Sequence, residues 1–487
     1  MTYNSEQPSY HILICLIEIW KPEDVDKDNP LATPSTSPTL IAECENIQIK
    51  NAYTNLVDEA TLTFPRGTII RKTIDSAVEQ ELKENNTGIS ATRDSKGIIY
   101  ETRTTTEAAT TNTFAVDSRI RISLGYTTDP SVAAMAKIKS GKKSIFTSKE
   151  TLGTYRTYLT LMFDGFITKC SIDQPITLRC ESLTTKLKQI SCPNKNFDSS
   201  LTVAQLLGNK SGQHNLLAKS GLQLHPDNYK TDADIVVGAT KLTTDLTIYD
   251  VINKWAKEKI FAYLVFENDT PYLAVKRSYF SNPGPDSLIT DNPQVSHVID
   301  FAYNVANNGL TTMKPNKDFL AVHAICKEND SKGQPTKTYQ LTIRKKPDWD
   351  ESMSSTDQWQ ILNETKISKK ARKKGVKVCS KGESKVDLSS YTVMTYIAKK
   401  DNLSHDKLLD EAIAFYSSIN MNGIDGSLTI FGDYAIKSGE IVQLKDDRYD
   451  DKNGIYLVGE VNTSFGTGGY RQSLTFPYCI KSKITDE

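Results

Sequence analysis

Over 423–444 the chain reads Gly-Ile-Asp-Gly-Ser-Leu-Thr-Ile-Phe-Gly-Asp-Tyr-Ala-Ile-Lys-Ser-Gly-Glu-Ile-Val-Gln-Leu, and over 454–476 Gly-Ile-Tyr-Leu-Val-Gly-Glu-Val-Asn-Thr-Ser-Phe-Gly-Thr-Gly-Gly-Tyr-Arg-Gln-Ser-Leu-Thr-Phe. A polar loop separates the two parts. Four short runs of β pattern are punctuated by glycine turns. This is the text of a small barrel or sandwich, and no catalytic cluster is evident in it. A similar arrangement, interrupted by a long insertion, occurs near the start of the chain. Two such modules predict a scaffold.

At 487 residues the chain has room for two to four domains. Lys plus Arg is 59 and Asp plus Glu is 59, so the formal net charge is zero. A neutral chain gives no electrostatic reason to expect nucleic acid or an anionic membrane as the main partner. The eight cysteines are scattered and form no Cys-x-x-Cys pair, which argues for free thiols in a reducing cytoplasm rather than zinc or a disulfide framework. Met1 to Ser9 lacks the basic segment of a secretory leader, so none is expected. The apolar run Ile12 to Ile17 is too short to span a bilayer, and Glu18 and Trp20 continue it as a first strand.

Further strands follow. Ala60, Leu62 and Phe64 alternate toward one face, and Pro65 ends that strand. Residues 66–113 read as a long polar insertion, either a β-arm or a partly disordered loop. Ile120, Ile122 and Leu124 resume the alternation, and Phe163-Asp164-Gly165-Phe166-Ile167 places a glycine at a turn or bulge. Beyond it the pattern changes. Ile248, Val251, Ile252 and Trp255 share a helical face, and 262–266 with 272–275 predict a hairpin. Leu320–Cys326 and Lys337–Arg344 read as strands, and Tyr391–Tyr416 as helix.

Candidate chemistry is thin. Asp164 and Asp173 are possible acids, as are Asp433 and Glu440 around the turn Lys437-Ser438-Gly439, but nothing pairs them across a cleft. The six histidines include no His-x-x-x-His or His-Glu-x-x-His, and the chain has neither Gly-x-Ser-x-Gly nor a phosphate loop. The strongest charge feature is the basic run at 366–377. Within it Lys369, Lys370, Arg372, Lys373 and Lys374 are the candidate partner contact, read as a solvated segment, a site for an acidic protein, or a nucleic-acid contact. Zero net charge and the lack of interleaved aromatics count against nucleic acid.

Four texts in order carry a resemblance. They are Ile47–Pro65, ending Ala-Thr-Leu-Thr-Phe-Pro; Phe114–Tyr126; the Phe-x-Gly-x-Ile at 163–167; and Gly426–Leu444 with Gly454–Phe476. Together they resemble the baseplate hub proteins of contractile phage tails, the late control protein D group, which are related to the base of type VI secretion spike proteins. The resemblance implies an α+β, mainly β fold. Two similar small β-barrels, or tube-like domains, are accompanied by intervening and peripheral α/β domains. On that reading 1–168 is the first barrel and 169–296 a small α/β domain. Strands in 297–345 contribute to the second barrel, 346–419 is a charged linker and helical segment, and 420–487 completes the second barrel. Gly165, Gly432, Gly439 and Gly459 mark barrel turns.

The implied role is structural, with no catalytic residues, cofactor or metal. It is a homotrimeric ring joining a sixfold tail tube to a threefold spike. Its partners are a separate spike protein, the tail tube protein and other baseplate proteins, without specific nucleic-acid binding or membrane insertion. Assembly is expected in the bacterial cytoplasm, within a virion tail or phage-like particle. Two alternatives stand beside it. A tail-associated cell-wall hydrolase needs acids, a Cys–His pair or a metal cluster meeting in one cleft. A carbohydrate-binding surface module needs exposed coplanar aromatics among the 22 tyrosines.

Overall fold

Alternation of apolar and polar residues becomes strand pairing from Ile12 onward. The structure, a computed structural model, describes residues 11–65, 114–135, 149–277, 295–312, 320–346, 358–368, 391–398, 401–419 and 424–482, with the strand pieces 71–72, 92–93 and 99–100. Within those spans it omits 27–29, 33, 172–174, 199, 209, 211–212, 227–230, 232, 257–259, 268–269, 330–334 and 450–451.

The N-terminal strands are β1 (Ile12–Trp20), β2 (Thr39–Ile41), β3 (Asn46–Ala52), β4 (Glu59–Phe64) and the two-residue β5 (Arg71–Lys72). In the predicted insertion, β6 (Thr92–Arg93) pairs with β7 (Ile99–Tyr100); most of the insertion lies outside the described residues. Then come β8 (Arg119–Thr127), β9 (Thr160–Cys170) and β10 (Ile176–Ser182). One face of this sheet buries Ile17, Ile49, Leu62, Ile122 and Leu178. On the other, α1 (Pro130–Met135) and α2 (Lys149–Arg156) cover Ile14, Leu16 and Leu40 with Val132, Ala133 and Tyr155. This double coverage explains why β1 is apolar at nearly every position rather than alternating.

A small α/β unit follows through a 3-10 turn at Leu183–Lys188. It contains β11 (Lys195–Asn196), α3 (Val203–Leu207), β12 (Gln223–Leu224), β13 (Lys241–Leu242), α4 (Ile248–Trp255), β14 (Ile260–Glu267) and β15 (Thr270–Arg277). A capping box starts α4: the Asp250 N–H donates to Thr247 Oγ1 at 3.2 Å, and the Thr247 N–H donates to Asp250 Oδ2 at 3.0 Å. Ile248, Val251, Ile252 and Trp255 are buried as their helical spacing predicts. The hairpin expected near 262–275 is β14 with β15.

The rest of the chain supplies β16 (His297–Asp300), β17 (Val305–Asn308), β18 (Thr311–Thr312), β19 (Leu320–Asn329), β20 (Pro335–Lys345), β21 (Trp359–Ser368), β22 (Thr392–Ile397), α5 (His405–Ile419), β23 (Ile424–Phe431), β24 (Ile441–Lys445), β25 (Gly454–Leu457), β26 (Glu460–Gly466), β27 (Gly469–Phe476) and β28 (Tyr478–Ser482). The helix expected over Tyr391–Tyr416 is corrected. Thr392–Ile397 is a strand parallel to β19, and the helix begins only at His405. Four β-branched residues and a tyrosine in this run favour the pleated sheet. Asn402 at φ +59° breaks the chain before Ser404, whose Oγ accepts the Lys407 N–H at 3.4 Å. Strands β21-β20-β19-β22 form their own sheet, with α5 packed on one face.

The two predicted β-barrels are not what forms: among the described residues no sheet closes into a barrel. Instead β3 pairs antiparallel with β26 along its whole length, from Ala52 with Glu460 to Asn46 with Gly466. One 13-stranded sheet therefore runs β17-β23-β27-β26-β3-β4-β10-β9-β8-β1-β2-β5, with β18 also on β23. The C-terminal module splits. Strands β16-β24-β25-β28 make a second sheet, whose Val442, Leu444 and Tyr456 pack against Leu428, Val461 and Leu474 of the large one. The physical reason is general. Alternation determines which face of a strand is buried, not which backbone completes its ladder. Here Phe465 and Tyr470 from the C-terminal module complete the N-terminal core, so the ladder crosses between modules.

A fragment spanning 1–168 tests this directly. Lacking β10 and β26, it is expected to show no cooperative thermal transition in near-ultraviolet circular dichroism; a sharp transition would mean that the N-terminal module closes on itself.

Candidate functional site

Asp164, the first candidate acid, lies inside β9 opposite Arg121 of β8, with Arg119 opposite the next-but-one residue, Phe166. Its side chain is fully buried. Arg119 donates Nε–H to Oδ1 at 3.0 Å and Nη2–H to Oδ2 at 2.9 Å, while Arg121 Nε–H donates to Oδ2 at 2.6 Å. Arg119 Nη1 also donates to the carbonyls of Leu31, at 2.9 Å, and Ala32. Arg121 stacks over Trp20, and beside it Glu18 pairs with Arg156 of α2. Bidentate, charge-assisted bonds occupy both carboxylate oxygens. Such a group ties the sheet to the loop above it and has no face left for a substrate. Asp173 lies outside the described residues.

Arg119, fully buried, and Arg121, largely covered, were not legible as a pair on one carboxylate. Alternating with Ile120 and Ile122, they read as solvent-facing, because the layer covering that face comes from distant loop and helix segments. Gly165, expected at a turn, is a strand residue. A Cβ there would lie 2.1 Å from the Glu181 carbonyl oxygen and 2.8 Å from the Phe163 ring, so only glycine lets β9 and β10 approach.

The large sheet curls until β8 comes back against β27, far from it in strand order. No backbone ladder seals this seam; side chains bridge it. Tyr126 of β8 stacks on Tyr470 of β27 with ring centroids 5.4 Å apart, and its hydroxyl donates to the Tyr470 carbonyl at 2.7 Å. Gly432 lies against the Tyr470 ring: a Cβ at 432 would stand 2.3 Å from Cγ. Beside it the fully buried Gln472 accepts the Ile436 N–H at 2.9 Å and donates to the Ile436 carbonyl at 2.8 Å, completing backbone bonds that no strand supplies. Asp433 lies near the two tyrosine phenols.

Gly439 and Gly459 sit at a junction between the large sheet, the second sheet and the α/β unit. Gly439 has φ +83° and rests against the ring of Tyr263, while Lys437 stands 5.2 Å from the centroid of the Phe266 ring. The Gly459 N–H donates to Thr475 O at 2.8 Å, and its carbonyl accepts the Tyr53 N–H at 3.3 Å. Tyr53, Tyr263 and Tyr478 pack together there. Glu440 faces Ser296, at 3.5 Å, and His297, at 3.8 Å. The acids proposed around the turn thus serve different contacts.

Lys369, Lys370, Arg372, Lys373 and Lys374 lie outside the described residues. Lys366, which opens the basic run, lies on β21, 3.2 Å from Glu328 and over the Tyr339 ring. Among the described residues no group of three or more His, Cys, Asp or Glu could hold a metal ion. What is assembled is a set of braces: an ionic clamp, an aromatic seam and a tyrosine junction.

Three substitutions test the bracing through stability. Asp164→Asn leaves the buried Arg119 charge short of its counter-ion and is expected to cost about 3–5 kcal/mol, read as a lower urea midpoint. Gly432→Ala forces the Tyr470 ring aside and is expected to cost about 1–3 kcal/mol. Gly153→Ala, in α2 with nothing within 4 Å of the added methyl, should by contrast stabilise by about 0.5–1 kcal/mol.

No protein-family model and no curated protein sequence matches the chain. Among solved structures it is similar to a tail protein from Neisseria meningitidis MC58, at 10% identity and a TM-score of 0.43, over 96% of this chain and 97% of that one. It is also similar to the prophage MuSo2 43 kDa tail protein from Shewanella oneidensis, at 9% identity and 0.46, over 95% and 98%. A third likeness is to a chain of the Francisella PdpA-VgrG complex, at 8% identity and 0.42, over 98% of this chain and 59% of that one. These are likenesses in outline, and no residue's role passes from them to this chain.

Proposed function

We propose that the chain is the structural hub of a phage or phage-like contractile tail, assembling in the bacterial cytoplasm as a trimeric ring that joins the sixfold tail tube to a threefold spike carried on a separate chain. The observation that carries this reading is the 13-stranded sheet drawn from both ends of the sequence. A body that bears load between two larger assemblies must resist shear across its own domains, and one ladder running through both modules does so through backbone bonds. The buried ion pair, the seam and the tyrosine junction reinforce the same object. The ordered motifs at 47–65, 114–126, 163–167 and 426–476 support it independently.

The hydrolase alternative loses its best candidate, since Asp164 is engaged on both oxygens by arginines. No helix among the described residues is long and apolar enough to cross a membrane. A ring of three is a head-to-tail closure in which each subunit offers two different surfaces to its neighbours. Sedimentation equilibrium of the purified full chain is expected to give a trimer that dissociates on dilution; a monomer persisting at high concentration, with or without an added spike protein, would remove the ring from the proposal.

A further inference from the structure

Among the described residues the three largest sheets end in six edge strands. The 13-stranded sheet ends at β17 and β5, the second C-terminal sheet at β16 and β28, and the sheet that α5 covers at β21 and β22. Natural sheets guard such edges with charge, lysine above all. Three of the six follow that rule: β5 contains Lys72, β21 contains Lys366 and β28 contains Lys481. The other three hold neither lysine nor arginine. β16 is His-Val-Ile-Asp, β17 is Val-Ala-Asn-Asn and β22 is Thr-Val-Met-Thr-Tyr-Ile.

The unguarded strands fall in two places. β16 and β17 are consecutive and joined by the turn at 301–304, so 297–308 is one edge shared by both C-terminal sheets. The one carboxylate on it, Asp300, is held locally, accepting the Ala302 N–H at 2.8 Å. A register shift against β23 bends β17 without placing a charge on it. β22 lies parallel to β19, and its outer side pairs with no described strand. Exposed apolar side chains collect on the same two stretches. Nine large apolar residues stand exposed among the described ones, and five belong here: Val298 and Tyr303 on the first stretch, Val393, Met394 and Ile397 on the second. Tyr303 is 80% exposed and Ile397 63%. An uncharged edge that also bears apolar side chains invites strand addition.

We propose that these two edges are the two sides of the contact between copies of this chain: β22 of one copy adds to the 297–308 edge of the next. The inference rests on the reading of the chain as a trimeric ring. A head-to-tail ring needs two different surfaces on every subunit. The chain leaves two unguarded edges, and they differ in length and in the sheet they extend. Pairing them satisfies backbone groups on both strands and continues the C-terminal sheets of one copy into the four-stranded sheet of its neighbour. Tyr303 and Ile397, the most exposed apolar residues of their stretches, become anchors inside the contact. An edge that paired with its own copy would instead close a twofold dimer and leave the other edge bare.

Full-length chains carrying Ile397→Lys or Tyr303→Lys test the pairing by sedimentation equilibrium. Both positions are exposed, so neither change should move the thermal midpoint. Every contact in the ring uses one β22 and one 297–308 edge. Each variant alone is therefore expected to associate about a hundredfold more weakly, or worse, and to sediment as a monomer where the unmodified chain is a trimer. An equimolar mixture of the two variants keeps one intact edge of each kind and is expected to give a dimer containing one of each. Variants that stay trimeric would overturn the edge pairing and leave the ring in place, and so would monomeric variants whose mixture forms no dimer. An unmodified chain that stays monomeric removes the ring, and this contact with it. Hydrogen exchange on the unmodified chain needs no variant. On dilution from trimer to monomer, amides of β22 and of 297–308 are expected to lose about tenfold or more of their protection, while those of β20, interior to its sheet, hold theirs. Unchanged protection at both edges would overturn the proposal.

Discussion

Seven residue pairs between β3 and β26 join the beginning of this chain to its end, and most of the architecture follows from them. Without that ladder the N-terminal sheet would present β3 as a bare edge, and its core would lack Phe465 and Tyr470. With it, the C-terminal module cannot close on itself either, because β26 is already paired on both sides, with β27 and β3. One backbone commitment decides the fate of both modules. It also sets what the remaining side chains must do, since a sheet this long must either flatten or curl.

The curl brings β8 back to β27, where side-chain contacts take over. The Tyr126–Tyr470 stack, the Gly432 floor and the bidentate Gln472 tie together a place where no ladder runs. The Arg119–Asp164 clamp works differently. A buried ion pair contributes little net stability against a well-packed apolar replacement, but its directional bonds admit one register. Asp164 meets both arginines only when β8 and β9 are aligned as observed, and Arg119 meets the Leu31 and Ala32 carbonyls only when that loop lies over the sheet. The clamp is best understood as a device for alignment.

Local features were legible in the sequence wherever one face of an element decided its state. The alternation Ala60, Leu62, Phe64, the helical face Ile248 to Trp255 and the hairpin near 262–275 needed no distant partner to be read. Strand pairing across modules was not legible, since β26 carries the same alternation whether it meets β3 or a neighbour from its own module. The strand at Thr392–Ile397 was hidden for a related reason: its parallel partner β19 lies about 70 residues earlier. Of the site, Gly432, Gly439 and Gly459 were visible as glycines, though the Tyr470 ring, the Tyr263 ring and Pro477 packed against them in turn were not. Arg119 and Gln472 gave no local signal. Loop segments from elsewhere in the chain, Leu31 and Ala32 over Arg119 and Ile436 beside Gln472, engage them, whereas polar residues at alternating positions ordinarily face water.

The β3–β26 ladder also has a consequence in time. Ala52 and Glu460 are about 400 residues apart in the chain. At about 5–20 residues synthesised per second, β3 leaves the ribosome roughly 20–80 s before its partner strand exists. Throughout that interval it is an alternating, unsatisfied edge on a nascent chain, the kind of surface that pairs with whatever strand is nearby. The solvent face of β3 carries Gln48 and Lys50, and a lysine on an edge strand is one of the features that oppose such mispairing. Completion of the N-terminal sheet is therefore tied to the end of synthesis, since the edge that β3 presents is closed only by β26.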